Sequence, residues 1–95
     1  MLFRSQGYSS EAEKLMVQVL NARNTILGSE HPNTVTAAAN LATTYANLGK
    51  YSEAEKLEKQ VLDARNRILG VEHPDTVLTM GNLARMYALQ SPTDY

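Results

Sequence analysis

The chain has 95 residues, with nine lysines and arginines against ten aspartates and glutamates, and it contains no cysteine. This near-neutral balance provides no broad field for holding nucleic acid or a membrane surface, and the lack of cysteine excludes disulfides and thiolate zinc sites. The longest apolar run is only a few residues, so we predict no signal peptide and no membrane span. A cytoplasmic protein is the expectation.

Most of the chain consists of two copies of one sequence pattern, which repeats with a period of 42 residues. Pairing residue i with residue i+42 from Ser10/Ser52 to Ala46/Ala88 gives 25 identities in 37 pairs. Such self-similarity predicts a continuous repeat array, which we place at 1–90. Within it we expect a truncated helix stub at 1–6, helices at 10–27, 32–48, 52–69 and 74–90, and a tail at 91–95 outside the repeat.

The helices at 10–27 and 52–69 share one amphipathic pattern. Apolar residues in the second copy step by three and four, which predicts one buried helix face. These residues are Ala54, Leu57, Val61, Ala64 and Ile68, with Leu62 and Leu69 widening the stripe. Ser52 followed by Glu55 predicts a capping box at the helix start, and Ser10 with Glu13 repeats it.

The segment ILGSEHPNTV returns as ILGVEHPDTV at the junction between the two helix types. Gly28 stands where a helix end needs a positive φ, and Pro32 suits a first helical residue. A metal or catalytic role for His31 and His73 would need partners, but there is no cysteine and no HExxH spacing. We therefore interpret each copy as a structural elbow, with its histidine at or beside the N-cap.

The helices at 32–48 and 74–90 carry a second buried stripe. In the first copy its members are Val35, Ala38, Leu41, Ala42 and Tyr45, and the predicted counterparts are Val77, Met80, Leu83, Ala84 and Tyr87. The small Ala42 and Ala84 permit close approach of a neighbouring helix. An all-α fold of antiparallel helix pairs follows.

The stretch LATTYANLGKYSEAEKL resembles tetratricopeptide repeats, with Leu-Ala-x-x-Tyr in one helix and Gly-x-Tyr-x-Glu-Ala-Glu opening the next. The usual period of that family is about 34 residues. The longer form here is similar to the 42-residue repeats of kinesin light chains and, through LDARNRILGVEHPDTV, to the sensor arrays of fungal NOD-like (STAND-type) signalling ATPases. Two departures are Met16 against Glu58, and Ser-Pro-Thr after Gln90 in place of the expected Gly-Lys-Tyr.

The resemblance implies a right-handed α-solenoid, a superhelix whose concave side is lined by the helices at 32–48 and 74–90. Polar and small residues on one stripe of these helices are the predicted peptide-binding positions. They are Thr36, Ala39, Asn40, Thr43, Asn47, Leu78, Gly81, Asn82, Arg85 and Leu89. Asn40 and Asn82 could hydrogen-bond the backbone of an extended peptide, or bond to each other or cap neighbouring helices.

No enzyme motif accompanies this pattern. There is no glycine-rich phosphate loop, no GxSxG and no cysteine nucleophile, and the Glu-x-Glu pairs occupy first helical turns, where they complement the helix dipole. We predict no catalytic residue, no metal and no cofactor. The expected partner is a protein or peptide, and neither nucleic acid nor a membrane. The chain then serves as an interaction scaffold, a piece of a longer array in the sensor arm of a NOD-like signalling ATPase.

Two other functions stay open. A short array with exposed ends could self-associate, as a homo-oligomer or by end-to-end stacking, and we assign this to the apolar residues Leu2, Phe3, Met16 and Val17. Such a fragment, or an engineered or consensus repeat, need have no dedicated ligand. A cargo adaptor similar to kinesin light chains would instead prefer acidic peptides carrying an aromatic residue, for which Arg85 is the clear basic residue in the groove.

Overall fold

The described residues, 6–90, form four consecutive α-helices. The computed structural model places α1 at Gln6–Leu27, α2 at Pro32–Asn47, α3 at Tyr51–Leu69 and α4 at Pro74–Gln90. Short turns join them, so neighbouring helices run antiparallel. The molecule measures 40 × 38 × 19 Å, a slab about two helices thick. This is the all-α repeat solenoid that the sequence predicted.

The core lies between α2 and α3. Its buried apolar cluster consists of Val35, Ala38, Leu41, Ala42, Leu57, Val61 and Ala64. All seven were predicted core positions. Ile68 and Leu69, which were also predicted to be buried, are about 40% and 39% exposed because the end of α3 borders an open cavity.

The predicted core stripe of α4 is largely wrong. Leu83 is buried, but Val77, Met80, Ala84 and Tyr87 are exposed. The reason is the number of neighbours: α2 packs extensively against both α1 and α3, whereas α4 does so only against α3 among the described helices. The face that α4 does bury contains Thr76, Thr79, Leu83 and Met86.

The predicted capping boxes are also wrong. The helix α1 begins at Gln6, so Ser10 lies inside it, and α3 begins at Tyr51 with Lys50 as an N-cap whose side chain makes no capping hydrogen bond. Glu55 contacts other groups instead, since its carboxylate accepts a hydrogen bond from the Gln90 side chain at 2.7 Å and pairs with Lys59 at 3.1 Å. Contact with α4 therefore replaces the local cap.

The self-association surface assigned to Met16 and Val17 is wrong in its placement. Both side chains are half-buried and pack against the core, and the Thr44 hydroxyl donates to the Met16 sulfur at 3.0 Å. They face α2 rather than solvent. Leu2 and Phe3, residues 1–5 of the predicted stub at 1–6 and the tail at 91–95 lie outside the described residues, and Gln6 belongs to α1.

Candidate binding surface

Both elbows have the same local geometry. His31 is the N-cap of α2, and the backbone N–H of Asn33 donates to its Nδ1 at 3.0 Å. His73 accepts in the same way from the N–H of Asp75 at 3.0 Å. Gly28 has a φ of +93°, a value that L-residues rarely adopt. The elbow interpretation is confirmed, because each histidine satisfies a free amide at a helix start.

A threonine in each elbow ties it to the preceding helix. The Thr34 hydroxyl donates to the carbonyl of Arg23 at 3.2 Å, and the Thr76 hydroxyl donates to the carbonyl of Arg65 at 3.4 Å. Both threonines are buried. Since these hydroxyls are satisfied within the protein, the EHPxT segments orient successive helices. Within residues 6–90, the histidines and acidic residues include no group of three placed to hold a metal ion.

The predicted peptide-binding stripe lies mostly on the surface of α2 and α4. Its exposed members are Thr36, Asn40, Thr43, Asn47, Leu78, Gly81, Arg85 and Leu89, while Ala39 and Asn82 are half-buried. Ala39 packs against the core. Among the hydrogen bonds of the described residues, none joins the side chains of Asn40 and Asn82; the Asn40 contact is through its backbone carbonyl, which accepts from the Thr44 hydroxyl at 3.2 Å.

The N-terminal ends of α2 and α4 converge at one cavity. This cavity has a volume of about 120 Å³ and is lined by Pro32, Val35 and Thr36 of α2, by Asp75 of α4 and by the C-terminal end of α3. Thr36 is the predicted binding residue that borders it. The α4 members of the predicted stripe do not line this cavity.

A larger cavity is lined by α1, the first elbow, α2 and α3. It has a volume of about 240 Å³, with polar lining residues that include Asn24, Gln60 and Asp63. At its edge Arg67 forms an ion pair with Glu30, and the hydrogen bond from this guanidinium lowers the pKa of the Glu30 carboxyl. Sequence reasoning missed this site. One signal was present, because Arg67 replaces Thr25 of the first repeat.

Burial affects one acidic residue beside the stripe. Glu58 is only 5% exposed, and this desolvation raises the pKa of its carboxyl, although the nearby charges of Arg65 and Arg85 oppose the shift. Arg65 is held in place because its guanidinium donates to the buried Thr79 hydroxyl at 2.8 Å.

None of the helices in the described part of the chain is long and apolar enough to cross a membrane.

Comparisons with known proteins agree with this architecture. A family profile described as tetratricopeptide repeat matches residues 1–33 and 34–75. A crystal structure of nearly identical TPR-like repeats, from a Podosopora anserina protein assigned as a kinesin light chain, superposes with a TM-score of 0.83 and 33% identity, covering 90% of this chain. A single-substitution variant of those repeats gives 0.82, also at 33% identity and 90% coverage.

The chain spans 40% of the length of the Podosopora anserina chains. A comparison with curated protein sequences found no match. Tetratricopeptide repeats generally serve as non-enzymatic scaffolds for protein–protein interaction. Alternating helices with a fixed period, joined by repeated elbows and matched over most of their length by this profile, show that the chain belongs to the tetratricopeptide repeat family.

Proposed function

We propose that this chain is a peptide-binding segment of a longer interaction array, and that the exposed stripe on α2 and α4 holds an extended polypeptide. One observation carries the proposal: Asn40, which is exposed, and Asn82, which is half-buried, recur one repeat apart on helices whose other face is packed. Carboxamides both donate and accept hydrogen bonds, so they can follow a peptide backbone whatever its side chains are.

The parent protein that we infer is a NOD-like (STAND-type) signalling ATPase in the cytoplasm, with this array as its sensor arm. The similarity of LDARNRILGVEHPDTV to such arrays supports this inference. A second candidate, a cargo adaptor, is favoured by the likeness to the Podosopora anserina repeats. The two differ in ligand charge, because the adaptor would select acidic peptides and would depend on Arg85.

A phage-displayed library of unstructured peptides, selected on the purified chain, tests the binding surface. We expect the double substitution Asn40→Ala with Asn82→Ala to weaken the selected peptides by about tenfold or more, as loss of central contacts does. The matched control is Gln18→Ala with Gln60→Ala. These two exposed amides also recur one repeat apart, but they lie on α1 and α3.

Three results decide between surfaces and ligands. Full binding by the asparagine variant, with loss in the glutamine variant, would move the site to the α1 and α3 side. Acidic, aromatic peptides that lose affinity on Arg85→Ala would favour the adaptor. Peptides of varied charge that depend on both asparagines would support backbone recognition. Far-UV circular dichroism of each variant verifies that the helices are retained.

A further inference from the structure

The contact between α2 and α3 is built from two sets of three apolar side chains. Val35, Ala38 and Ala42 lie on α2, and they form one buried cluster with the α3 set, Leu57, Val61 and Ala64. Ala42 is 0% exposed and Val61 is 1% exposed, so this contact excludes water.

The 42-residue repeat places counterparts of these two sets on the two outer helices, one set on α1 and the other on α4. The α1 outer face consists of Leu15, Val19 and Ala22, the counterparts of the α3 set. The α4 outer face consists of Val77, Met80 and Ala84, the counterparts of the α2 set. Five of these six residues are identical to their counterparts; only Met80 differs, replacing Ala38.

Both outer faces are open to solvent. Leu15 is 60% exposed, whereas Leu57 is 9% exposed, and Val77 is 50% exposed against 6% for Val35. Ala22 and Ala84 are exposed as well. The chain cannot join its own two faces, because α2 and α3 lie between them. Within residues 6–90, each outer face therefore lacks the half that covers its counterpart between α2 and α3.

We propose that, for this chain on its own, a second copy supplies the missing half, so that the α1 outer face of one molecule packs on the α4 outer face of the next; in the longer array proposed above, flanking repeats would cover the same two faces. The geometry is that of α3 on α2. The occupant follows from residue identity, since the side chains that cover Val35 and Ala42 are the same types, at the same helical spacing, as those on the α1 outer face. Removal of this apolar surface from water drives the association.

This contact is heterologous, because it joins two different faces. Each added copy leaves one face of each kind free, so the assembly grows end to end instead of closing as a symmetric dimer. Met80 is the one enlarged position, and its flexible, unbranched side chain can adjust to the opposing helix.

The polar part of the internal contact is missing between copies. Inside the chain Arg67 on α3 pairs with Glu30 beside α2. The corresponding residues at the new contact are Thr25 of one copy and Glu72 of the next. The association is thus predicted to be mainly apolar and weakly dependent on salt, and an arginine at position 25 would add the ion pair.

Sedimentation equilibrium over a dilution series tests the stacking. The average mass of the unaltered chain should rise with concentration without a plateau at the dimer. Val19→Glu and Met80→Glu each destroy one face, and each should weaken self-association by about tenfold or more. Lys56→Glu is the control, because Lys56 is exposed on α3, which carries neither outer face, and this variant should associate as the unaltered chain does.

Mixing the two variants gives the sharper readout. Val19→Glu keeps the α4 outer face and Met80→Glu keeps the α1 outer face, so the mixture should form a closed one-to-one heterodimer. If either variant alone still associates fully, or if the mixture stays monomeric while both remain helical, the proposal is overturned. A chain that is monomeric at every concentration overturns it too, and assigns the faces to flanking repeats or to another partner.

Thr25→Arg keeps the test decisive if a glutamate variant unfolds. This substitution should strengthen association about threefold at low salt, as an exposed ion pair can. Glu72→Gln in the same chain should cancel the gain, and added salt should reduce it. A gain that survives Glu72→Gln would place the two copies in a different arrangement.

Discussion

Glu58 of α3 and Met16 of α1 occupy the same position of successive repeats, where one repeat places a carboxyl group and the other an apolar side chain. Met16 packs against α2 and accepts a hydrogen bond from Thr44, whereas Glu58 is buried as a carboxylate near Arg65 and Arg85. The first repeat thus carries an apolar side chain at this position, and the second carries a carboxyl group that burial separates from water.

Glu58→Met should stabilise the fold at neutral pH. Desolvation of the carboxylate is only partly offset by the two arginines, so its removal should raise the free energy of unfolding by about 1 kcal/mol. Urea denaturation measures the change. The control is Glu53→Met, because Glu53 is exposed in the first turn of α3, where its charge favours the helix dipole. A stabilisation equal to that of Glu58→Met would assign the effect to methionine itself.

The gain from Glu58→Met should depend on pH. The pKa of Glu58 is raised in the folded chain, so between its usual value, about 4.3, and the raised value the folded state binds more protons than the unfolded state. The contribution of Glu58 to stability therefore falls as pH rises through this window. We expect unfolding curves of the variant and the unaltered chain to converge below the window and to separate above it. Convergence at high pH instead would contradict the sign.

The reverse exchange, Met16→Glu, should destabilise the first repeat. It places a carboxylate against α2, where Arg23 is the counterpart of Arg65 but Thr43 replaces Arg85. We expect a loss of about 2 kcal/mol, part of which Thr43→Arg should restore in the double variant. A double-mutant cycle in urea isolates the coupling, and strict additivity would show that an arginine at position 43 has no influence on the carboxylate introduced at position 16.

Two glycines should respond to alanine with opposite signs. Gly70 ends α3 with φ +93° and ψ 157°, a region almost confined to glycine, so Gly70→Ala should cost about 1–3 kcal/mol. Gly81 lies inside α4, where an added methyl group would meet open space, so Gly81→Ala should stabilise by about 0.5–1 kcal/mol. Thermal unfolding of both variants tests this, and a loss in each would contradict the conformational account.

Replacing the cap of α2 should be costly unless the new side chain can accept the same amide. His31→Ala removes the acceptor for the N–H of Asn33 and should lower the free energy of unfolding by about 1 kcal/mol. His31→Asn, which can cap a helix, should retain most of the stability. Chemical denaturation compares the two variants, and equal losses would mean that the histidine ring contributes through packing.

The repeated pattern allowed the helices, the elbows and the α2–α3 core to be predicted, because periodicity and chain reversals depend on local sequence. The exposure of Val77 and Met80 could not be predicted in this way. The same stripe is covered on α2 and open on α4, and the difference depends on how many helices surround each one. Periodicity identifies an apolar face but does not say whether a neighbour covers it.

The start of α3 was the other feature that the sequence pattern did not predict correctly. Ser52 and Glu55 satisfy a capping pattern, yet the turn after α2 fixes the start of α3 at Tyr51. Gly49 has a φ of +79° there, and the N–H of Lys50 donates to the carbonyl of Tyr45 at 2.8 Å. This turn reverses the chain before the serine is reached. The predicted binding stripe was found on the surface, but its ligand depends on groups that the chain itself does not contain.

The extensive packing of each helix against its neighbours along the chain has a consequence for how the molecule opens. The extensive interhelical contacts of the described residues join α1 to α2, α2 to α3 and α3 to α4. An outer helix can therefore unfold locally while α2 and α3 keep the buried cluster between them. Amide protons of α1 and α4 should then exchange with deuterated water sooner than those of α2 and α3. A molecule that binds to one of the outer helices would slow this local opening.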